Sequence, residues 1–464
     1  MRASTTKDGL TLRVIAGVNS VILGMDLQEN KRKGCLGFSI QRTDLGPQDK
    51  PFSKKQQASR WLPNLLRFPS DKSDEKITSE RAPLQKFRWG DYTQKPNLLE
   101  GLRQALDRGA EVKVVYHHRQ KDAKDKTAGE NEEAAKEAKL AKVCVQRKAN
   151  PQSAIMHDKF VVLLKKTGRK FVPQAVWTGS TNWTDGAIYG QLNVGHAVYD
   201  PGVAATYEAL FQLLHTDPEA AELKKELAKL TPVSLPLPKS HRTWAIFSPQ
   251  SKLDMIDLYA RISSEAKCLM VCAPFELHEK IRKAFLKKPK DTLHYLLLDK
   301  EKSLGKPEEV EVQEGDPRNT IGVATTLSSP LHDFQGKLLE GKESFLHAGI
   351  HIHSKIILAD PFGSDPILAT GSANYSKNST VNNDSNTLVI RGNTAVTDIY
   401  ATEFMRMFEH YHFRASLAAA QKKAGKKFKS EPMALKETDA WSDKYYEPGS
   451  LEELDRRMFA GTLV

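Results

Sequence analysis

Two stretches of the chain carry the same arrangement of residues: HDKFVVLLKKTGRKFVPQAVWTGSTN at 157–182 and HSKIILADPFGSDPILATGSAN at 353–374. Each begins with His-x-Lys, continues as an apolar run and ends in Gly-Ser-x-Asn. The pattern predicts that each histidine begins one strand and each Gly-Ser ends the next. Alternation places His and Lys on one strand face, and the glycine lets the second strand approach closely and present its Asn. Each stretch therefore brings an imidazole, an ammonium and a carboxamide to one place.

The elements around the two stretches also repeat. A helical pattern at 98–109 leads to an apolar strand at 111–117, and the same order returns with a helix at 253–263 and a strand at 267–273. We predict an internal duplication of an α/β unit. Three short strands, at 11–17, 20–27 and 33–42, are predicted near the N-terminus.

The predicted helices include a charged one within 119–142, which we interpret as a solvated insertion, and one from Ala204 towards Leu230. The prolines that follow these helices exclude helix and central strand from the segment before the second α/β unit. The predicted regions are a β-rich N-terminal region at 1–95, a first α/β domain at 96–230, a linker at 231–243, a second domain at 244–420 and a basic tail at 421–464.

Composition narrows the class of protein. Lys and Arg exceed Asp and Glu to give a formal net charge of +12, which favours a polyanionic partner. No apolar run is long enough for a membrane span, and the N-terminus lacks the order of a signal peptide, so we expect a soluble cytoplasmic protein without an integral membrane segment. The four cysteines, Cys35, Cys144, Cys268 and Cys272, have no zinc spacing and are interpreted as buried reduced thiols.

The two stretches resemble the phospholipase D superfamily, whose pattern is His-x-Lys-x4-Asp followed by Gly-Ser-x-Asn, present twice in a pseudo-symmetric chain. The resemblance spans roughly residues 98–415 and implies an α/β fold of two α-β-α sandwich domains. The second copy matches fully, with Asp360 at the aspartate position, whereas the first has Leu164 there. Tyrosyl-DNA phosphodiesterases also lack this aspartate, which the resemblance implies is a structural brace.

The resemblance implies hydrolysis of phosphodiester bonds without metal or other cofactor, through a phosphohistidine. His157 is then the nucleophile and His353 the general acid and later base, although the reverse order is also open. Imidazole suits both roles because its ordinary pKa of about 6.5 lies near neutrality. Lys159, Lys355, Asn182 and Asn374 would surround the non-bridging oxygens, where negative charge concentrates in the transition state.

Several residues are predicted to support these groups. They are Ser180 and Ser372 of the Gly-Ser-x-Asn turns, the brace Asp360, and three candidates for orienting an imidazole through its other nitrogen, namely Asp384, Gln191 and Asn193. The superfamily usually has Glu in this orienting role, and neither region holds one. We expect a monomer whose two halves form an intramolecular pseudo-dimer.

Two other functions stay open. His347, His351 and His353 alternate and can converge on one metal ion, although no carboxylate or cysteine cluster accompanies them. A duplicated fold can also persist as a nucleic-acid-binding module without turnover. Intact His-Lys-Asn sets in both copies favour an enzyme.

The choice between nucleic acid and an anionic phospholipid as substrate rests on weaker signals. Trp177, Trp183 and Tyr375 flank the Gly-Ser-x-Asn turns and can stack on a base or enclose a headgroup, although packing beside the site is the favoured interpretation for each. The basic segment Lys422–Lys429 can contact phosphates or an anionic membrane, and a solvated tail explains it at least as well. The net charge and the lack of a lipid anchor favour nucleic acid slightly.

Overall fold

The structure is a computed structural model. It describes residues 2–16, 21–43, 59–61, 79–81, 83, 88–89, 99–118, 126–149, 154–184, 187, 191–285, 292–300, 319–324, 352–424 and 435–462. The chain divides into two compact units. One comprises Met1–Tyr92, Leu327–Glu340 and Ser416–Val464, and the other comprises Thr93–Thr326 and Gly341–Ala415.

The first unit contains an antiparallel sheet in the order β1-β2-β3-β6 and a separate pair of β4 and β5. These strands are β1 (Arg2–Lys7), β2 (Leu10–Ala16), β3 (Val21–Leu27), β4 (Gln41–Thr43), β5 (Ser59–Trp61) and β6 (Arg88–Trp89). The strand predicted at 33–42 is wrong over most of its length, because Gly34 and Gly37 adopt positive φ angles of 79° and 134° that interrupt extended backbone. Strand β1 was not predicted.

The first half of the second unit runs from residue 99 to 230. Its elements are α1 (Leu99–Asp107), β7 (Val114–His117), α2 (Thr127–Glu137), β8 (Cys144–Arg147), β9 (Phe160–Thr167), β10 (Lys170–Gly179), β11 (Gly195–Val198), α3 (Pro201–His215) and α4 (Ala220–Leu230). Strands β9, β10 and β11 form an antiparallel sheet, and β7 pairs parallel with β8. The single helix predicted towards Leu230 is wrong: it is broken before Pro218, where Asp217 has a φ of 50°.

The second half of this unit follows a proline-rich segment without helix or strand at 231–241. Its elements are β12 (Arg242–Ser248), α5 (Asp254–Glu265), β13 (Cys268–Ala273), α6 (Glu279–Arg282), β14 (Leu293–Leu298), β15 (Asn319–Val323), β16 (Ile356–Ala359), β17 (Ile367–Gly371), α7 (Lys377–Val381), β18 (Ser385–Arg391) and α8 (Thr394–Ala424). The strands form one sheet in the order β12-β18-β17-β16-β13-β14-β15.

Helices cover both faces of this sheet. On one face, Leu269 and Val271 share a buried core with Tyr259 of α5. On the other face, Tyr295 packs edge to face on Phe408 of α8, with 5.4 Å between the ring centroids. A strand covered on both faces is mostly apolar, which explains the unbroken apolar run of β13 and the full burial of β14, where His294 is the one strongly polar residue. The predicted α/β class is confirmed.

The register of the strands supports the internal duplication. Strands β9, β10 and β11 follow one another as β16, β17 and β18 do, and both sets are antiparallel. Phe160 pairs with Thr178 as Ile356 pairs with Thr370, one residue before each Gly-Ser. The parallel pair β7-β8 likewise corresponds to β13-β14.

Residues 435–462, within the region predicted to be a basic tail, are folded. A 3-10 helix (Asp439–Tyr445) and helix α9 (Leu451–Ala460) pack in the first unit, where Trp441 and Tyr445 share a core with Met25 and Phe38. The Trp441 indole donates a hydrogen bond of 2.8 Å to the Cys35 carbonyl. The prediction of a tail is wrong for these residues. Within Lys422–Lys429, residues 425–429 lie outside the described residues.

Cys268 and Cys272 are buried, as predicted, whereas Cys35 and Cys144 are partly exposed; all four are free thiols. Within the described part of the chain, no helix is both long and apolar enough to cross a membrane.

Candidate active site

The two motif histidines meet between the halves of the second unit. The ring centroids of His157 and His353 lie 6.1 Å apart with the ring planes at 77°, and both residues are buried. The backbone of each is held by the opposite half. The backbone N–H of His157 donates to the Asp384 carbonyl at 2.7 Å, and the backbone N–H of His353 donates to the Leu192 carbonyl at 2.9 Å. These hydrogen bonds define the spacing of the rings, because each motif is anchored on the strand end of the other.

The two lysines are placed in the same way. Lys159 Nζ donates to the His157 carbonyl and Lys355 Nζ to the His353 carbonyl, each at 2.7 Å. Lys159 is 8 % exposed and Lys355 fully buried. Buried ammonium groups are stable only with compensating hydrogen bonds or an anion, so the site is suited to a negatively charged ligand.

The Gly-Ser-x-Asn turns follow β10 and β17 directly, which brings Asn182 and Asn374 to the same strand ends as the histidines. The serines brace these turns. The Val194 N–H donates to Ser180 Oγ at 2.9 Å, and the Asn386 N–H donates to Ser372 Oγ at 3.0 Å. The glycines are required by close approach, since a Cβ at Gly179 would lie 2.0 Å from the Val194 carbonyl oxygen.

Of the three candidates for orienting an imidazole, Asn193 reaches one. Its Oδ1 lies 3.0 Å from His353 Nδ1 and accepts from Ser180 Oγ at 2.8 Å, while its Nδ2 donates to the Ala187 carbonyl. The Ser180 carbonyl also lies 3.0 Å from His353 Nδ1. Both neighbours are acceptors, so Nδ1 carries the proton and Nε2 faces the site.

The corresponding position in the second half is Ser385, one residue before the Asn386 that binds Ser372. Ser385 Oγ is buried and makes no hydrogen bond with a described residue, and the same holds for His157 Nδ1. The Asp384 side chain instead accepts from Arg147 Nε at 3.0 Å, and no described hydrogen bond joins Gln191 to either ring. Among the described residues, a side-chain orienting contact therefore exists for His353 only, whereas His157 has the Ser372 carbonyl, which raises its pKa against the larger effect of burial.

Burial controls the protonation of the site. It lowers the pKa of His353 to about 3 and that of His157 well below its ordinary value, with the charges of Lys159 and Lys355 acting in the same direction. Burial also lowers the pKa of Lys159 to about 7 and that of Lys355 well below its ordinary value. An anionic ligand would oppose all four shifts.

A buried polar network lies behind the first motif and was not predicted. Asn386 Nδ2 donates to Asp158 Oδ1 at 2.7 Å, and Asn386 Oδ1 accepts from Thr178 Oγ1 at 2.7 Å and from the Tyr207 hydroxyl at 3.2 Å. Burial raises the pKa of Asp158 to about 7. The second motif has Ser354 at this position, so an ionisable carboxyl is present in one motif only. Only the tertiary structure reveals that Asp158 faces a side chain from the other half.

The aromatic candidates separate into two groups. Tyr375 is buried, packs on Tyr259 and donates to the Ala369 carbonyl, which agrees with the favoured interpretation of packing and not with the alternative of stacking on a base. Trp177 and Trp183 contact each other with 6.3 Å between the ring centroids. Phe275, which was not predicted, is 40 % exposed and presents its ring 6.5 Å from that of His353.

Asp360 lies away from the reacting groups, at the end of β16. Its Oδ1 accepts from the Lys267 and Cys268 N–H groups, each at 2.8 Å, and ties the start of β13 to the end of β16. The geometry is that of a brace. His347 and His351 lie outside the described residues, and among those described no cluster of three His, Cys, Asp or Glu side chains can hold a metal ion.

Comparison with protein families gives one match. Residues 84–214 match the model of a family described as the cardiolipin synthase, phospholipase D-like domain. That stretch of the chain is similar to a phospholipase D-like domain. The predicted resemblance to the phospholipase D superfamily is thereby confirmed. No curated protein sequence matches the chain.

Solved structures with a similar arrangement are distant. Polyphosphate kinase from Porphyromonas gingivalis is 11 % identical with a TM-score of 0.40, over 64 % of this chain and 38 % of the kinase, so the chain spans well under half of that protein. Phosphatidylserine synthase from Haemophilus influenzae is 11 % identical with a TM-score of 0.44, over 68 % of this chain and 76 % of the synthase. Nuc from Salmonella typhimurium, a phospholipase D family member, is 15 % identical with a TM-score of 0.26, over 37 % of this chain and 95 % of Nuc.

Proposed function

We propose that this chain hydrolyses phosphodiester bonds of nucleic acid at the site between its two halves, through a phosphohistidine and without a metal ion. The observation that carries the proposal is the 6.1 Å separation of two buried imidazoles, each anchored by the opposite half. One phosphate group fits between two such rings, and in-line displacement requires a nucleophile and a proton donor on opposite sides of phosphorus.

The difference between the rings supports His157 as nucleophile. His353 has two acceptors at Nδ1, which stabilise an imidazolium and suit it to donate a proton from Nε2 to the leaving oxygen. His157 has no side-chain acceptor at Nδ1 among the described residues, and only the Ser372 carbonyl acts to raise its pKa, so it stays neutral more readily, with a lone pair for attack.

In the first step a His157 nitrogen bonds to phosphorus, the P–O bond to the leaving group breaks, and that oxygen takes the proton of His353. In the second step His353 removes a proton from water, the water oxygen bonds to phosphorus, and the P–N bond breaks. Lys159 and Lys355 stabilise the charge on the non-bridging oxygens in both steps.

The test is turnover of labelled DNA, RNA and phosphatidylglycerol vesicles side by side, in EDTA. We expect cleavage of nucleic acid, and losses of about 10³-fold or more in His157→Asn and His353→Asn. In His353→Asn a covalent adduct should accumulate on His157, detectable by mass spectrometry. Loss of activity in EDTA, an adduct on His353 alone, or binding without cleavage of any diester would overturn the proposal.

Phospholipid is the competing substrate, because the matching family model is described by cardiolipin synthase. Cleavage of the vesicles with DNA and RNA untouched would replace the proposed substrate and leave the two-histidine chemistry intact.

A further inference from the structure

The hairpin of β9 and β10 continues beyond the point where its counterpart ends. Leu163 pairs with Ala175 where the second half has its last pair, Ala359 with Ile367. The first half then adds four pairs, closed by a turn at Gly168 and Arg169, and these are Leu164–Pro173, Lys165–Val172, Lys166–Phe171 and Thr167–Lys170. We call residues 164–173 the basic ribbon. Leu164, its first residue, occupies the position of Asp360 in the other half. The first half therefore has a longer hairpin where the second half has the turn that Asp360 braces.

The ribbon is strongly basic. It contains four cations, Lys165, Lys166, Arg169 and Lys170, and no Asp or Glu. All four are exposed, and none forms an ion pair with a described residue. Lys166 Nζ lies 5.7 Å from the centre of the Phe171 ring. Four exposed cations on ten residues, without an acidic partner among the described residues, attract a polyanion.

Apolar side chains are exposed on the same ribbon. Phe171 and Val172 are each 41 % exposed, and Leu163 at its base is 60 % exposed. Lysines on a free strand edge can be explained as protection against aggregation, but that explanation does not cover the exposed Phe and Val. A two-stranded ribbon solvated on both faces is marginal by itself, so these residues indicate a surface that a partner covers.

We propose that the basic ribbon binds duplex DNA by entering its major groove. The groove of B-form DNA is about 12 Å wide and admits a two-stranded β-ribbon, whereas that of A-form RNA is too narrow for side chains to read. The four cations contact phosphates on the groove walls. Binding by the ribbon needs no turnover, so the inference goes beyond the proposed hydrolysis.

The ribbon and the active site lie at opposite ends of one hairpin. Strand β9 has eight residues, beginning next to Lys159 and ending at the turn, which places the tip of the ribbon about 27 Å from the active site at ~3.4 Å per residue. This corresponds to about eight base pairs of B-form DNA. The ribbon is therefore a second contact on a long substrate, beyond the reach of a small diester.

The experiment measures the affinity for a labelled DNA duplex of about 20 base pairs as a function of salt, with His157→Ala in every chain to prevent cleavage. In the test variant, Lys165, Lys166, Arg169 and Lys170 are all replaced by Ser. Each phosphate contact contributes about 0.9 to the slope of log K against log salt, so the slope should fall by about three to four. Between about 50 and 200 mM salt, wild-type affinity should drop on the order of a hundredfold more than that of the variant.

The matched control replaces Lys225, Lys229, Arg261 and Lys283, which are exposed on other elements and carry the same total charge. Three of them form ion pairs with nearby glutamates. We expect the control to keep the slope within about one of the wild type. Equal slopes in the ribbon variant and the control would overturn the proposal, as would ribbon-dependent binding to phosphatidylglycerol vesicles without binding to DNA.

Turnover of bis(4-nitrophenyl) phosphate, with His157 intact, separates this inference from the proposed function. Both charge variants should cleave it at the wild-type rate, which also shows that they fold. If the wild type does not cleave it while the ribbon still controls the salt slope, the hydrolysis proposal fails and the ribbon inference stands.

Discussion

The two halves of the second unit present the same reacting groups on different supports. Backbone hydrogen bonds to the histidines and lysines are nearly identical in the two. Behind them, the first motif has the buried carboxyl of Asp158 and an extended ribbon, whereas the second has Ser354 and the braced turn at Asp360. The duplication therefore preserves the geometry of the two motifs while the surrounding charges diverge, which supports the different roles proposed for the two histidines.

The largest effects test whether the two lysines remain equivalent. Lys159→Met and Lys355→Met should each lower kcat by about 10²–10³-fold, because each removes a cation from the developing charge on the phosphate. Thermal unfolding should show no loss of stability, since a buried ammonium is replaced by an apolar side chain of similar length. A large effect from one lysine only would show that the two lysines are not equivalent at the reacting groups.

The orienting contacts should differ between the halves. Asn193→Ala removes the side-chain acceptor of His353 Nδ1 and should lower kcat by about 10–100-fold, the range for loss of a residue that orients a reacting imidazole. Ser385→Ala, its counterpart, should stay close to wild type because Ser385 Oγ makes no described hydrogen bond. Equal losses in steady-state kinetics would mean that both rings depend on these positions.

The carboxyl of Asp158 should set the alkaline limit of activity. Its charge raises the pKa of Lys159, against the larger effect of burial, while Lys159, Arg147 and Asp384 are the charged groups that act on Asp158 itself. Asp158→Asn keeps the acceptor for Asn386 but removes the charge, so Lys159 should lose its proton at lower pH.

The alkaline limb of the kcat/KM profile should then move down by about one pH unit, which is about tenfold in rate on that limb. At lower pH, where Lys159 is protonated in both chains, the rates should agree. Ser354→Ala is the control and should leave the profile in place. A uniform loss at every pH would indicate a structural role for Asp158 instead.

The smallest effect on activity is expected at Asp360. Asp360→Ala removes two hydrogen bonds to backbone N–H groups and should cost about 1–3 kcal/mol of unfolding free energy, measured by denaturant titration, with kcat nearly unchanged. Leu164→Asp, at the matching place in the ribbon, should bring no gain in stability, because β9 continues there instead of turning. A loss of kcat in Asp360→Ala without loss of stability would contradict the role of a brace.

Much of the site followed from local pattern. His157, Lys159, His353 and Lys355 could be found from the repeated pattern and the close approach of each Gly-Ser end, although the histidines do not begin the strands as predicted, since β9 and β16 start three residues after them. The choice among Asp384, Gln191 and Asn193 could not be made, since these partners come from the opposite half and a shift of one residue reverses which side chain faces inward. For the same reason the contact of Asp158 with Asn386 could not be predicted, although Asp158 lies inside the first motif.

The sequence by itself determined the duplicated α/β fold and the four side chains at its centre, because periodicity and glycine placement act within a few residues of each other. Only the tertiary structure decided that Asn193 orients His353, that Asn386 holds Asp158, that residues 439–460 pack instead of trailing as a tail, and that the ribbon is solvated on both faces. These features depend on which residues far apart in the chain contact each other. Local periodicity carries no information about such contacts.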